Sequence, residues 1–394
     1  MPALAERVNK INSSPTLKLV QIKKQLEAQG RKILDFGAGE PDFSTPEHIK
    51  QAGIAAIQND FTKYTPTAGI MELKEAIAAR YAEEQGYTPQ HNEIVVTPGS
   101  KFALFIMLQA LVGSGDEVIV PCPYWVSYPE MVRFCGATPI FADQLAGPRR
   151  FAITADSYLK CYSPRTRAVI VNSPSNPTGM LMSAEDLGQV VSFFAERGTM
   201  VIIDDCYRHI TYTEEPYPAP FPIAGTNKDK IAVVSSLSKT FAMTGWRMGY
   251  ALADAELSAA MVKIQEHSTS NPCSISQKAA VAALNGGRQT VQAMVAEYRK
   301  RRDLVAARLQ DIGDIDFALP QGAFYFFADF SPWISRLGLA DDQELAMEML
   351  NRLNIIVVPG SAFGAPGHLR ISYATALAQL QQGLDLIEEW LKGS

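Results

Sequence analysis

The chain has 394 residues, 47% of them hydrophobic, and a net charge of −5; that length exceeds one ordinary core and predicts two domains. The acidic balance, with no long basic run, excludes a general nucleic-acid binder, and five scattered cysteines without C-x-x-C spacing exclude a disulfide framework and a zinc site, so no metal is expected. Residues 1–7 lack a signal-peptide apolar core and no segment is long enough to span a bilayer, so a soluble cytoplasmic protein without membrane partners is expected.

The first 30 or so residues have helical spacing but are too few for a domain, and are expected to pack on the C-terminal part. Helical patterns follow over 46–58, with Pro46 suited to a first turn, and over 72–84. Short apolar runs then recur at 93–97, 117–120, 168–172, 200–204, 231–235 and 249–253, in the manner of buried parallel strands. Helical segments separate most of them, one opened by the capping-box signature Ser183-Ala184-Glu185-Asp186. This alternation predicts an α/β architecture with a mostly parallel sheet covered on both faces. One long helix is expected over 276–309 as a spine between domains. Beyond it the order changes to a strand at 324–330, a helix near 342–353, strands at 355–358 and 369–373, and a final helix to Lys392. That order predicts a smaller α+β domain, with the chain divided into 46–290 and 1–45 plus 291–394.

In an open α/β sheet, ligands sit at the carboxyl ends of the strands, and the unusual polar residues cluster there. Lys239, in Ser236-Leu237-Ser238-Lys239, follows the apolar run 231–234. It is either a partly exposed strand-end lysine or an amine tied up as an imine with a carbonyl cofactor. The neighbouring hydroxyls and Arg247 suit a phosphate, and pyridoxal 5′-phosphate (PLP) carries both an aldehyde and a phosphate. Asp204 ends Val201-Ile202-Ile203; it is a cap, or the carboxylate that keeps a pyridine nitrogen protonated. Tyr207 is a packing group or a donor to the ring's phenolate oxygen. Asn176, in Asn172-Ser173-Pro174-Ser175-Asn176-Pro177-Thr178-Gly179, belongs to a tight turn and could reach the same oxygen. Thr97-Pro98-Gly99-Ser100-Lys101 leads from a strand into a helix whose first N–H groups suit an anion. Arg370 lies in an apolar strand and needs a partner: an internal acid, or a substrate α-carboxylate.

Further segments complete the pattern: Gly37-Ala38-Gly39-Glu40-Pro41-Asp42-Phe43, Lys63-Tyr64-Thr65-Pro66, Pro123-Tyr124-Trp125-Val126-Ser127-Tyr128-Pro129, and Gly322-Ala323-Phe324-Tyr325. In this order and spacing, over nearly the whole chain, they resemble class I, fold-type I PLP-dependent aminotransferases. The likeness is to the aspartate aminotransferase branch, which includes aspartate/prephenate enzymes. It implies a large domain with a mostly parallel seven-stranded sheet and a smaller α+β domain. It further implies that Lys239 carries the cofactor, Asp204 pairs with its ring nitrogen, and Tyr207 and Asn176 hold its ring oxygen. Trp125 and Cys206 would flank the ring; Gly99, Ser100, Ser236, Ser238 and Arg247 would surround the phosphate. Tyr64 would reach the phosphate of a neighbouring subunit, making the active unit a homodimer. Gly39 and Arg370 would bind the α-carboxylate of an amino or oxo acid, and Lys101, with Ser14, its distal carboxylate. Related enzymes that use prephenate often carry lysine where this chain has Asn12; Asp205 and the Gly147-Pro148-Arg149-Arg150 loop are smaller departures. A PLP-dependent lyase could use the same Lys239 and Asp204, while a ligand-sensing regulator would need a DNA-binding module, for which this chain leaves no room.

Overall fold

Runs such as Val201-Ile202-Ile203 have no polar face, so they are stable only in a sheet covered on both sides. In the computed structural model, which describes residues 4–13, 15–145 and 151–393, they form the centre of a seven-stranded sheet. Its order is Ile94–Thr97, Gly249–Leu252, Ile231–Ser236, Met200–Asp204, Thr166–Asn172, Glu117–Cys122 and Thr138–Asp143. Only Gly249–Leu252 runs against both of its neighbours, so the sheet is mostly parallel as expected. Its reversed direction is invisible in a buried apolar run, which reads alike either way. Thr138–Asp143 was not among the predicted strands; it lies at the edge, carries Pro139 and is largely exposed, so it lacks the apolar run of a central strand.

Alternate residues of these strands supply two separate cores, as a two-residue period requires. Val169, Val171, Val201, Ile203 and Val233 face the layer containing the helices Met71–Gln85 and Ala184–Ala195. Ala168, Ile170, Ile202, Ala232 and Val234 face Ser100–Leu111 and Ala255–Glu266. The expected cap is present: Ser183 Oγ accepts from Asp186 N–H at 3.0 Å.

A second sheet, Val358–Pro359, His368–Ser372, Tyr325–Asp329 and Asp316–Phe317, is antiparallel throughout. It shares a core containing Phe324, Phe326, Leu369 and Ile371 with the helices Asp342–Leu353 and Leu377–Lys392. The early chain joins this unit where Leu34–Asp35 pairs with Ile355–Ile356 and where Arg31 Nε donates to Asn354 Oδ1 at 2.7 Å. Not all of it does so. Asn12 N–H instead donates to Glu130 Oε2 at 2.8 Å, on the helix Ser127–Phe134 beside the large sheet.

The single helix predicted over 276–309 is two helices, Ser274–Asn285 and Gln289–Ile312. The break falls at Gly286-Gly287, where the entropic cost of helical glycine is greatest. A Cβ on Gly286 would lie 2.5 Å from His48 Nε2 and 3.0 Å from Ala282 O, so a larger residue there would push the His48 ring aside. Among the described residues, no helix is long and apolar enough to cross a membrane.

Candidate active site

Register along the carboxyl edge of the large sheet assembles the site. Thr97 lies opposite Gly249, Gly249 opposite Ser236, and Asn172 opposite Asp204. The 99–100 turn packs directly on Gly249, where a Cβ would lie 2.3 Å from Ser100 N. Gly99 caps the helix Ser100–Leu111 with φ 87°, and a Cβ there would meet Arg247 Nη2 at 2.6 Å. Arg247 itself has φ 51°, a left-handed turn that brings its guanidinium back over the 99–100 turn. Ser236 Oγ caps the short helix Leu237–Thr240 by accepting from Ser238 N–H at 3.0 Å. Helix N–H groups, hydroxyls and an arginine thus meet at one end of the cavity.

Next to them, Asp204 is 6% exposed. Burial pushes its carboxyl up; the Tyr128 hydroxyl, donating at 2.7 Å, and the Cys206 N–H, donating at 3.2 Å, pull it back. Cys206 Sγ lies 3.0 Å from Ser100 Oγ, and burial holds its thiol well above the usual range, which disfavours the nucleophilic thiolate. Tyr207 shares a 2.8 Å hydrogen bond with Tyr325.

Lys239 Nζ donates to Gly39 O. Burial lowers its pKa to about 8, the Arg370 and Arg247 charges adding to that shift while Cys206 and Glu40 oppose it. Arg370 is 2% exposed, and its Nη1 and Nη2 donate to Asn176 Oδ1 (3.0 Å) and Gly37 O (2.7 Å). Its Nε has no partner, and no described acid forms an ion pair with it. The internal acid that the sequence left open is therefore not what this arginine meets. Lys101 Nζ sits 4.7 Å from the centre of the Trp125 ring; burial and the Arg247 charge lower its pKa.

These residues line one cavity of about 590 Å³: Gly39, Ser100, Lys101, Trp125, Asn176, Asp204, Tyr207, Ser236, Ser238, Lys239, Arg247 and Arg370 all reach it. Gly99 lies just behind its wall, and Tyr64 is 91% exposed, outside it. Ser14 and the Gly147-Pro148-Arg149-Arg150 loop lie outside the described residues. Sequence reasoning gave no role to Asn172, Tyr128 or Tyr325, which also line the cavity; the two tyrosines stood in quoted segments, but nothing in spacing tells a hydroxyl aimed at Asp204 from a packed ring. It also missed Lys23, which enters from the helix Pro15–Ala28 and pairs with Asp35 at 2.8 Å.

The sequence matches the family model "Aminotransferase class I and II" over residues 31–387. An aspartate aminotransferase of Bacillus sp. (strain YM-2) is 38% identical over 389 residues, 99% of each chain. An aspartate/prephenate aminotransferase of Nitrosomonas europaea is 40% identical over 397 residues, covering 98% of this chain and 99% of its own. The structure of Thermus thermophilus aspartate aminotransferase with maleate superposes with a TM-score of 0.93 at 38% identity, covering 99% of this chain and 100% of that one. Matches of that extent to the sequence and the fold place this chain in the class I and II aminotransferase family, as a transaminase of fold-type I.

Proposed function

We propose that this chain is an aspartate aminotransferase that uses PLP, passing the amino group of L-aspartate to 2-oxoglutarate to give oxaloacetate and L-glutamate by ping-pong kinetics. One observation carries the reading: a single cavity holds a half-buried lysine of lowered pKa, a buried aspartate, and a buried arginine with an unpartnered Nε. These groups fit the cofactor and its substrate, because each is costly to bury without a ligand to answer it.

When bound, PLP supplies an electron sink that acidifies the Cα–H of an attached amino acid. Lys239 is the residue to bond its aldehyde. With a pKa near 8, its amine carries a lone pair at mildly alkaline pH and can take the Cα proton and return it. Asp204 is the carboxylate to accept from the protonated ring nitrogen, Tyr207 and Asn176 the donors for the ring oxygen, and Trp125 and Cys206 the flanking groups. Gly99, Ser100, Ser236, Ser238 and Arg247, with Lys101 near them, form the phosphate end.

Arg370 and Gly39, beside Trp125 and Asn176, are assigned to the α-carboxylate. Lys101 and Ser14 are assigned to the distal carboxylate. The maleate accompanying the Thermus relative, a dicarboxylate, supports a second cation in the site. Division into 46–290 and 1–45 plus 291–394 would let the smaller part close on substrate. The exposure of Tyr64 supports a homodimer in which it completes the partner's phosphate site, and a cytoplasmic location accords with the reduced cysteines.

The test is a panel of amino donors with 2-oxoglutarate and prephenate as acceptors. Aspartate with 2-oxoglutarate should give the highest kcat/KM; release of ammonia and pyruvate without amino transfer would point to a lyase and overturn the proposal. Prephenate belongs in the panel because relatives carry that name. The Asn12–Glu130 contact, at the position where such enzymes often have lysine, argues for a weak prephenate reaction.

A further inference from the structure

Lys239 sits on a helix of four residues, Leu237–Thr240, too short to hold its own orientation. Its preceding end is capped by Ser236. On its other side the next residue, Thr240, is 4% exposed and lies with its Oγ1 3.1 Å from His209 Nδ1. His209 Nε2 lies 2.9 Å from Glu84 Oε2. Glu84 in turn forms an ion pair with Arg208 Nη2 at 3.1 Å, and Arg208 Nη1 lies 3.5 Å from Asp205 Oδ2, which also accepts from the Tyr81 hydroxyl at 2.9 Å. Arg80 and Arg288 approach the other Glu84 oxygen at 3.7 and 3.3 Å. Asp205 directly follows Asp204. The two residues assigned to opposite ends of the cofactor therefore hang from one buried cluster of charge.

The direction of this chain follows from its chemistry. Glu84, surrounded by three arginines, is a carboxylate and can only accept. Nε2 of His209 must then carry the ring's proton, which leaves Nδ1 of the neutral imidazole as an acceptor for the Thr240 hydroxyl. Burial and the Arg208 charge both favour the neutral ring, and Glu84 opposes them.

We infer that His209 is a positioning residue for the reaction: through Thr240 it fixes the Lys239-bearing turn relative to Asp204, using Glu84, Arg208 and Asp205 as a common anchor. The inference rests on the assignment of Lys239 as the cofactor-bearing residue. His209 does not line the cavity that holds Lys239; its influence passes through the turn. It also lines a second cavity of about 610 Å³, shared with Glu84 and Thr240, which gives a small molecule access to this ring from outside.

That access makes a rescue experiment possible. In PLP-loaded protein, His209→Ala and Thr240→Val are compared with wild type for kcat, KM and the pH midpoint of the lysine–cofactor chromophore. Misplacement of the turn should lower kcat on the order of tenfold or more with KM little changed, and should move the midpoint in both variants. Millimolar imidazole should restore kcat in His209→Ala and not in Thr240→Val. Thr240→Val exchanges a hydroxyl for a methyl group of similar size and decides the matter alone if His209→Ala does not fold. Wild-type kcat and midpoint in the folded variants, whatever their melting temperature, would overturn the inference; absence of the chromophore in wild type would instead overturn the assignment of Lys239.

Discussion

The Tyr128 hydroxyl donates to Asp204 Oδ2 at 2.7 Å with both side chains buried. The role proposed for Asp204, holding a proton on a ring nitrogen, requires an ionised carboxylate; burial raises its pKa and this hydrogen bond opposes that rise. Tyr128→Phe keeps the ring and removes the donor. A hydrogen bond to a charged group contributes about 1.5–3 kcal/mol, so PLP affinity and kcat together should fall roughly 10- to 100-fold. Fluorescence titration with PLP and steady-state kinetics check this.

Lys239→Ala should abolish both the visible absorbance that PLP acquires on binding and the turnover. Borohydride treatment followed by peptide mass analysis should place the reduced adduct on Lys239 in the wild-type chain alone. Full activity in the variant contradicts the assignment.

Lys101→Ala should reduce kcat/KM for aspartate far more than for a neutral donor such as alanine. Loss of one charged contact corresponds to about 1.5–3 kcal/mol, or roughly 10- to 100-fold in the ratio. Equal losses for both donors would assign Lys101 to the phosphate end instead.

Gly249→Ala introduces a Cβ only 2.3 Å from Ser100 N, inside the contact between two backbones that cannot yield as a side chain tip can. The 99–100 turn must shift, so PLP affinity should drop at least about tenfold, the effect expected from loss of a single anion contact. Equilibrium dialysis against PLP gives the comparison, with the unmodified chain as reference.

Acid stability should depend on Glu84. Burial raises its carboxyl pKa, but the His209 hydrogen bond, the charge His209 gains once acid protonates it, and the charges of Arg208 and Arg288 outweigh that and take it from 4.5 down to about 2. The folded-state value lies below the unfolded one. Its contribution is therefore fully present above about pH 4.5 and is lost as pH falls toward 2. Glu84→Gln should cost on the order of 2–3 kcal/mol at neutral pH and flatten the acid limb of stability. Urea unfolding at a series of pH values between 7 and 3 measures both effects.

Much of this protein is legible residue by residue. The runs at 168–172, 200–204 and 231–235 could only be buried strands, because no polar face exists to meet water, and their helical spacers made the parallel sheet unavoidable. Lys239, Asp204 and Arg370 stood out for a related reason: a charge at the end of, or within, an apolar strand has to be answered by something.

What answers it was decided only by tertiary structure. Sequence spacing left Arg370 facing either an internal acid or an external carboxylate, and only the packed chain shows its Nε without a partner. The Tyr128–Asp204 bond spans 76 positions and the Arg370–Asn176 bond 194, separations across which no local pattern carries information. Tyr128, His209 and Glu84 received no role from the sequence because hydrogen bonds and ion pairs act over a few ångströms in space. The sequence by itself determined which residues are too polar for where they must lie; the fold alone determined which of them meet.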